Sequence, residues 1–267
     1  GQVASKLSKY SSVINFGRED IDFLKPKECV DAIFDLKPSF VINAAAFTNV
    51  DRCEAEKDKA KKINAITPGE IAKACNKINA HLLHLSTEFV FDGYKKLSYL
   101  PNDSCRPLNF YGKTKLLGEQ NIKKNISNFI ILRTSWIFSE NSNNFVRKII
   151  KLSKNQSRIK VVSDQIGGPT YSGDIARALV NIIKKLKLQN ISGIYNFSGY
   201  PDVSRYEFAL ELNKYIKNNL KIEKIKSENL TSKINRPLNS RLNCLTTKRD
   251  FNISRPLWKT KLIKILN

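Results

Sequence analysis

Short apolar runs alternate with amphipathic stretches from the first residues to about position 190, which is the pattern of strands and crossover helices in a parallel sheet. Val13 to Phe16, Phe40 to Ala44, Leu82 to Ser86 and Phe129 to Arg133 read as strands. The last is nearly free of polar residues, so it is expected to be buried on both faces. Pro26 to Leu36, Asp51 to Lys62, Pro68 to Asn79 and Asn109 to Lys124 read as the helices between them. Beyond these the pattern loosens: Phe145 to Ser153, Ser172 to Leu186 and Ser204 to Ile216 look helical, Ile194 to Phe197 extended, and a short last helix starts near Pro256. The expected fold class is α/β, a doubly wound parallel sheet with a smaller C-terminal region.

A sheet of this kind binds ligands at the carboxyl ends of its strands, near the point where strand order reverses. Those ends carry Asn43-Ala44-Ala45-Ala46, Ser86-Thr87 and Arg133-Thr134-Ser135-Trp136. The alanines fit either tight packing of a helix on the sheet or close approach of backbone to a dinucleotide, and the two readings are compatible. On the long helix that follows, Tyr111 stands four places before Lys115, which puts both side chains on one face. A phenol is a poor acid-base group at neutral pH, and a nearby ammonium is expected to lower its pKa. Thr87 could then hold a substrate oxygen beside the phenol. The spacing alone is weak, because a lysine-rich chain with nine tyrosines contains roughly one such pair by chance.

Composition narrows the class. With 267 residues, 41% of them hydrophobic, the chain can bury a substantial core. No apolar stretch approaches the roughly 18 residues of a membrane span, and the start lacks a signal peptide's apolar segment, so a cytoplasmic protein with no membrane partner is expected. Five cysteines, odd in number and never in a Cys-x-x-Cys pair, argue for reduced thiols and against a zinc site. The formal charge of +22 suggests a nucleic-acid partner, but the lysines are spread along polar helix faces without a recognition helix, finger or aromatic platform. No nucleic-acid partner is expected; a milder role of the positive field is to draw in a phosphorylated substrate and a dinucleotide. The chain contains no methionine and opens on what looks like the middle of a motif, so it is read as starting late.

Taken in order, Gly1-Gln2-Val3-Ala4, Asp22-Phe23, Val41 to Asp51, Ser86 to Gly93, Pro107 to Glu119, Arg133 to Trp136, Asn144 to Val146, Asp164 to Thr170 and Arg236 to Ser240 resemble the dTDP-4-dehydrorhamnose reductase family of the extended short-chain dehydrogenase/reductases. The resemblance implies a Rossmann-type dinucleotide-binding domain over residues 1–140, with a return segment at 158–190. It implies a substrate-binding region over 191–267 together with 141–157. It further implies NADPH- or NADH-dependent reduction of the 4-keto group of dTDP-4-dehydro-6-deoxy-L-mannose to dTDP-L-rhamnose, for surface polysaccharide. Another nucleotide-linked 4-keto sugar, or a non-catalytic regulatory protein of the same fold, is the alternative. By the family's pattern Tyr111 is the general acid, Lys115 lowers its pKa and grips the nicotinamide ribose, and Thr87 hydrogen-bonds the reacting oxygen. Gly1, Gln2 and Val3 fall at the pyrophosphate, Asp22 and Phe23 beside the adenine, and Ala44, Ala45 and Ala46 along the dinucleotide. Arg18 tilts the preference slightly to NADPH. On the substrate side stand Glu88, the aromatic wall Trp136, Asn144, Phe145, the Gln165 to Thr170 loop, and Arg236 for the diphosphate. The expected assembly is a monomer or homodimer.

The chain departs from the family's pattern in two places. Glu88-Phe89 replaces the usual Asp-Tyr, which keeps the charge at a longer reach and loses a hydroxyl. The first strand and first glycine of the dinucleotide motif would precede Gly1, so weak coenzyme binding and poor stability are expected of this chain as it stands. Some members dimerise around magnesium, but Lys6 stands where the first helix would supply a carboxylate, so no metal is expected.

Overall fold

A computed structural model describes residues 1–140, 143–216, 220–230 and 234–266. A short helix α1 (Ala4–Leu7) precedes α2 (Pro26–Leu36), β1 (Phe40–Asn43), α3 (Val50–Ala55), α4 (Lys57–Lys61), α5 (Thr67–Lys77) and β2 (His81–Thr87). Then come α6 (Phe110–Asn125), β3 (Phe129–Thr134), β4 (Ile137–Phe138), α7 (Phe145–Asn155), β5 (Arg158–Val162), β6 (Ile166–Gly167), β7 (Thr170–Tyr171) and α8 (Ser172–Leu186). The remaining elements are β8 (Gly193–Asn196), β9 (Val203–Ser204), α9 (Arg205–Asn213), β10 (Lys221–Ile225), β11 (Asn239–Ser240), α10 (Leu245–Phe251) and α11 (Lys259–Leu266).

The main sheet has four parallel strands in the order β1-β2-β3-β8, with Leu82 opposite Phe129 and Ile131 opposite Ile194. Side chains alternate between its faces with a period of two. Leu83, Leu85, Ile130 and Leu132 pack with Val3, Leu7, Ile175, Leu179 and Ile182 on the side of α1 and α8. Leu82 and Ile131 pack with Ile33, Ile71 and Ile122 on the side of α2, α5 and α6. Helices therefore cover both faces, which makes the sheet doubly wound and explains the near-continuous apolar character of β3.

Residues 13–16 do not form the expected strand. The segment is irregular, Ile14 and Phe16 are exposed, and only Val13 packs on the core. Apolar β-branched residues extend the backbone, but a strand also requires a neighbour to pair with, and the outer strand β1 pairs only with β2 among the described residues. The helix expected from Asp51 to Lys62 is instead α3 and α4 followed by a π turn over Lys62–Ile66. The widened turn brings Asn64 inward, where its amide accepts from Phe47 N at 2.8 Å and donates to Phe47 O and Thr114 Oγ1 at 3.0 and 3.1 Å. Sequence periodicity does not register such a wide turn.

The two regions interleave. Residues 193–196, on the C-terminal side of the expected division, complete the main sheet as β8. Residues 158–162, on its other side, pair in parallel with β10 and pack with α7, α9 and α11 around Phe208 and Trp258. The short strands β5 and β10 were not expected from the sequence; β5 alternates for only four residues, and Lys224 interrupts the alternation of β10.

A buried ion pair ties α6 to the sheet. Glu119 receives Arg133 Nε at 2.9 Å, Arg133 Nη2 at 2.6 Å and Ser86 Oγ at 2.5 Å, and each side chain of the pair is 2% exposed. Removing one partner leaves the other charge uncompensated in the interior. Glu119→Ala is expected to destabilise the protein by about 3–5 kcal/mol, read as a fall in the midpoint of urea unfolding.

Candidate functional site

The carboxyl ends of β2 and β3 meet the first turns of α6 at one edge of the sheet. Thr87 ends β2 and accepts from Phe89 N at 3.2 Å, which starts the tight turn Glu88–Val90. Asn109 caps α6 by accepting from Gly112 N at 2.9 Å, so the helix begins one residue before Tyr111. Gly112 lies against that turn: a Cβ there would stand 2.2 Å from Phe89 O. This close approach places Tyr111 beside Thr87 and sets its ring edge-on to Phe89, with ring centroids 5.5 Å apart.

Tyr111, Thr87, Glu88 and Lys115 are all buried. Burial first, and the Glu88 charge second, push the Tyr111 phenol well above its ordinary value, although the Thr87 hydrogen bond opposes them. The lowering expected from Lys115 is therefore not what this arrangement produces. The ammonium points elsewhere: Lys115 Nζ lies 3.0 Å from His84 Nε2 and donates to Leu85 O at 2.7 Å. Burial lowers the Lys115 pKa to about 8, partly offset by Glu119. His84 is held well below its usual range by burial and by Lys115, so the neutral ring serves as an acceptor.

Trp136 has φ +47°, a left-handed conformation that costs an aromatic residue on the order of 1–3 kcal/mol. Its backbone amide is thereby directed to the Glu88 carboxylate. One side of its indole meets Gly167, and Arg205 stacks over the ring at 3.7 Å from the centroid. The same guanidinium lies 5.2 Å from the Phe145 ring, interacts favourably with Glu88 and is opposed by Arg236. Arg236 reaches Asp51 at 3.3 Å, while its buried Nε has no partner among the described residues. Glu88 thus faces a cationic rim of Arg205 backed by Arg236.

Other expected site residues are placed as follows. Gln2 Oε1 accepts from Ser139 Oγ at 2.7 Å and Asn144 Nδ2 at 3.0 Å, so the chain's start is joined to the cap of α7. Gly1 is exposed, and Val3 belongs to the core. Ala44, Ala45 and Ala46 follow β1 half-buried, with Ala45 N donating to Asn43 Oδ1 at 3.1 Å. Asp22 accepts from Leu24 N at 2.9 Å, and Phe23 O accepts from Thr67 Oγ1 at 2.7 Å. Arg18 is exposed on the irregular segment. Gln165 donates to Ser227 Oγ at 3.0 Å, and the fully buried Thr170 donates to Gly168 O and receives Gly199 N, so both shape the loop that carries Gly167. Lys6 is paired with Glu140 and lies over the Tyr171 ring. Among the described residues no cluster of His, Cys, Asp or Glu could hold a metal ion.

Sequence reasoning missed Arg205, His84 and Asn64. Arg205 carried one signal: it follows the N-cap of the capping box Ser204–Glu207, a place that starts a helix at the sheet's end. His84 and Asn64 had none, because a polar residue inside an apolar run shows its partner only after folding.

The doubly wound parallel sheet, crossed by a helix carrying Tyr111 and Lys115, defines an extended short-chain dehydrogenase/reductase. Residues 1–267 match the family described as RmlD substrate binding domain. The dTDP-4-dehydrorhamnose reductase of Aggregatibacter actinomycetemcomitans is 38% identical over 281 aligned positions, covering 99% of this chain and 95% of that one. Among solved structures, a dTDP-4-dehydrorhamnose reductase from Clostridium acetobutylicum is 32% identical with a TM-score of 0.93, covering 100% of this chain and 95% of that one. The Bacillus anthracis reductase, solved in complex with NADP, is 30% identical with a TM-score of 0.91, covering 99% and 95%. The chain belongs to the dTDP-4-dehydrorhamnose reductase family.

The contact at Gly112 sets the distance between Tyr111 and Thr87. Gly112→Ala is expected to push α6 off the turn at Phe89 and lower kcat/KM by about a hundredfold, with the far-ultraviolet circular dichroism unchanged.

Proposed function

We propose that this chain reduces the 4-keto group of dTDP-4-dehydro-6-deoxy-L-mannose to dTDP-L-rhamnose with NADPH or NADH. The observation that carries the reading is the convergence of Thr87, Tyr111 and Lys115 at the carboxyl end of a parallel sheet in a member of this family. The coenzyme supplies the hydride. The residues present fit such a group: Lys115 has three ammonium hydrogens and two protein partners, which leaves one for a ribose hydroxyl. The small side chains of Ala44, Ala45 and Ala46 leave the backbone after β1 open to close approach.

Tyr111 enters the reaction as a neutral phenol, since its pKa lies above the ordinary value. An alkoxide is far more basic than a phenolate, so proton transfer from Tyr111 to the new alkoxide is downhill as the carbonyl is reduced. Thr87 orients the keto oxygen beside the phenol. Lys115, held by Leu85 O and His84 Nε2, grips the coenzyme rather than the phenol in this reading. Arg236, with an unpaired Nε and a neighbour in Arg205, is the group for the substrate diphosphate. Trp136 and Phe145 frame the deoxysugar, with Asn144 and the loop from Gln165 to Thr170 on the nucleotide side.

No helix among the described residues is long and apolar enough to cross a membrane. The five free thiols support a reducing cytoplasmic setting, where the enzyme works as a monomer or homodimer. Nicotinamide absorbance on addition of the keto-sugar tests the function. Oxidation by the wild type, reduced about a hundred to ten thousandfold in Tyr111→Phe, is the expected outcome. Tight coenzyme binding without any oxidation would instead favour a regulatory role.

A further inference from the structure

We propose that Glu88 is a positioning residue whose protonation state decides whether the hydroxyl hydrogen of Thr87 points at the substrate's keto oxygen or away from it. The proposal rests on the reduction described above and adds a switch to its site. Thr87 has a single hydroxyl hydrogen and two acceptor lone pairs. In the structure that hydrogen goes to Glu88 Oε2 at 2.8 Å, and the Thr87 oxygen accepts from Phe89 N at 3.2 Å. An ionised carboxylate can only accept, so it holds the Thr87 hydrogen. That hydrogen then faces away from the substrate.

A protonated Glu88 reverses this order. Its hydroxyl donates to Thr87, which already accepts from Phe89 N, and both lone pairs of Thr87 are then filled. The Thr87 hydrogen is released and turns to the keto oxygen, where it stabilises the charge that develops as Tyr111 donates its proton.

The groups facing Glu88 decide how easily it changes state. Burial pushes its carboxyl up to about 7, opposed by Thr87, by its own and the Trp136 amides, and by Arg205. Tyr111 faces it from α6 and is itself pushed up by the Glu88 charge. Arg236 acts one step removed, by opposing the charge of Arg205. With burial set against these groups, the balance lies near neutral pH, where a small change in environment moves the population of each form.

The test is kcat/KM for the reduction between about pH 5 and 9 in the wild type, Glu88→Gln and Glu88→Asp. The wild type is expected to lose activity by about tenfold per pH unit once Glu88 ionises. Glu88→Gln, whose amide donates to Thr87 as the acid does, is expected to keep the low-pH activity beyond that limb, leaving only the later decline from Lys115. Glu88→Asp should restore a limb at a shifted position. Loss of activity in Glu88→Gln at every pH, with coenzyme affinity unchanged, would overturn the proposal by showing that the carboxylate itself is required; so would a profile identical to the wild type. The carboxyl carbon of Glu88 in protein labelled with 13C-glutamate reads the switch without turnover. A titration near neutral pH that moves in Thr87→Val supports it, and a carboxyl ionised throughout the range refutes it. Absence of turnover in the wild type at all pH values counts against the reaction, while the carbon titration still decides the switch.

Discussion

The close seating of α6 on the sheet is the constraint from which the rest follows. At two places its backbone touches backbone: Gly112 against Phe89 O, and Gly118 against Asn64 O, where a Cβ would stand 2.2 Å away in each case. Only glycine permits such approach, because any side chain would force the helix outward. Just after the second contact Glu119 turns inward to meet Arg133 and Ser86, so the same helix is pinned by packing at one face and by a buried ion pair at another. A helix held this firmly can carry Tyr111 and Lys115 as fixed points rather than as mobile side chains.

The fixed points sit in an environment that is costly to maintain. Tyr111, Lys115, Glu88 and His84 are ionisable and buried, and burial shifts each toward its neutral form. Some of that cost is offset by hydrogen bonds: Lys115 to Leu85 O, Glu88 from Thr87 and the Trp136 amide. Trp136 adds backbone strain, which places an amide where the carboxylate needs one. Strain and desolvation of this kind concentrate at functional sites because the surrounding core supplies the stability to hold them.

The overall charge has a local counterpart. Most lysines lie on exposed helix faces, but at the site Arg205 faces Glu88 while the neighbouring Arg236 pairs with Asp51. Arg205 covers the face of Trp136, so the indole is a wall with a cation laid across it rather than a bare aromatic surface.

Much of this was legible in the sequence. The alternation of apolar runs and amphipathic stretches marked α2, α5, α6, α8 and the four strands of the main sheet, because each buries one face or both and its composition must reflect that. The ordered motifs singled out Thr87, Tyr111 and Lys115 and the family to which the chain belongs. Tertiary structure decided what depends on partners distant along the chain. Val13 to Phe16 had the composition of a strand but no strand among the described residues to pair with. Residues 158–162 and 221–225 found each other across α8, α9 and the short strands between them. The ionisation of Tyr111 was set by burial and by Glu88, whereas the spacing to Lys115 had suggested the opposite. Local sequence specifies which residues are available on a face; the dielectric around them, and the direction in which each hydrogen points, exist only once distant segments have closed over the site.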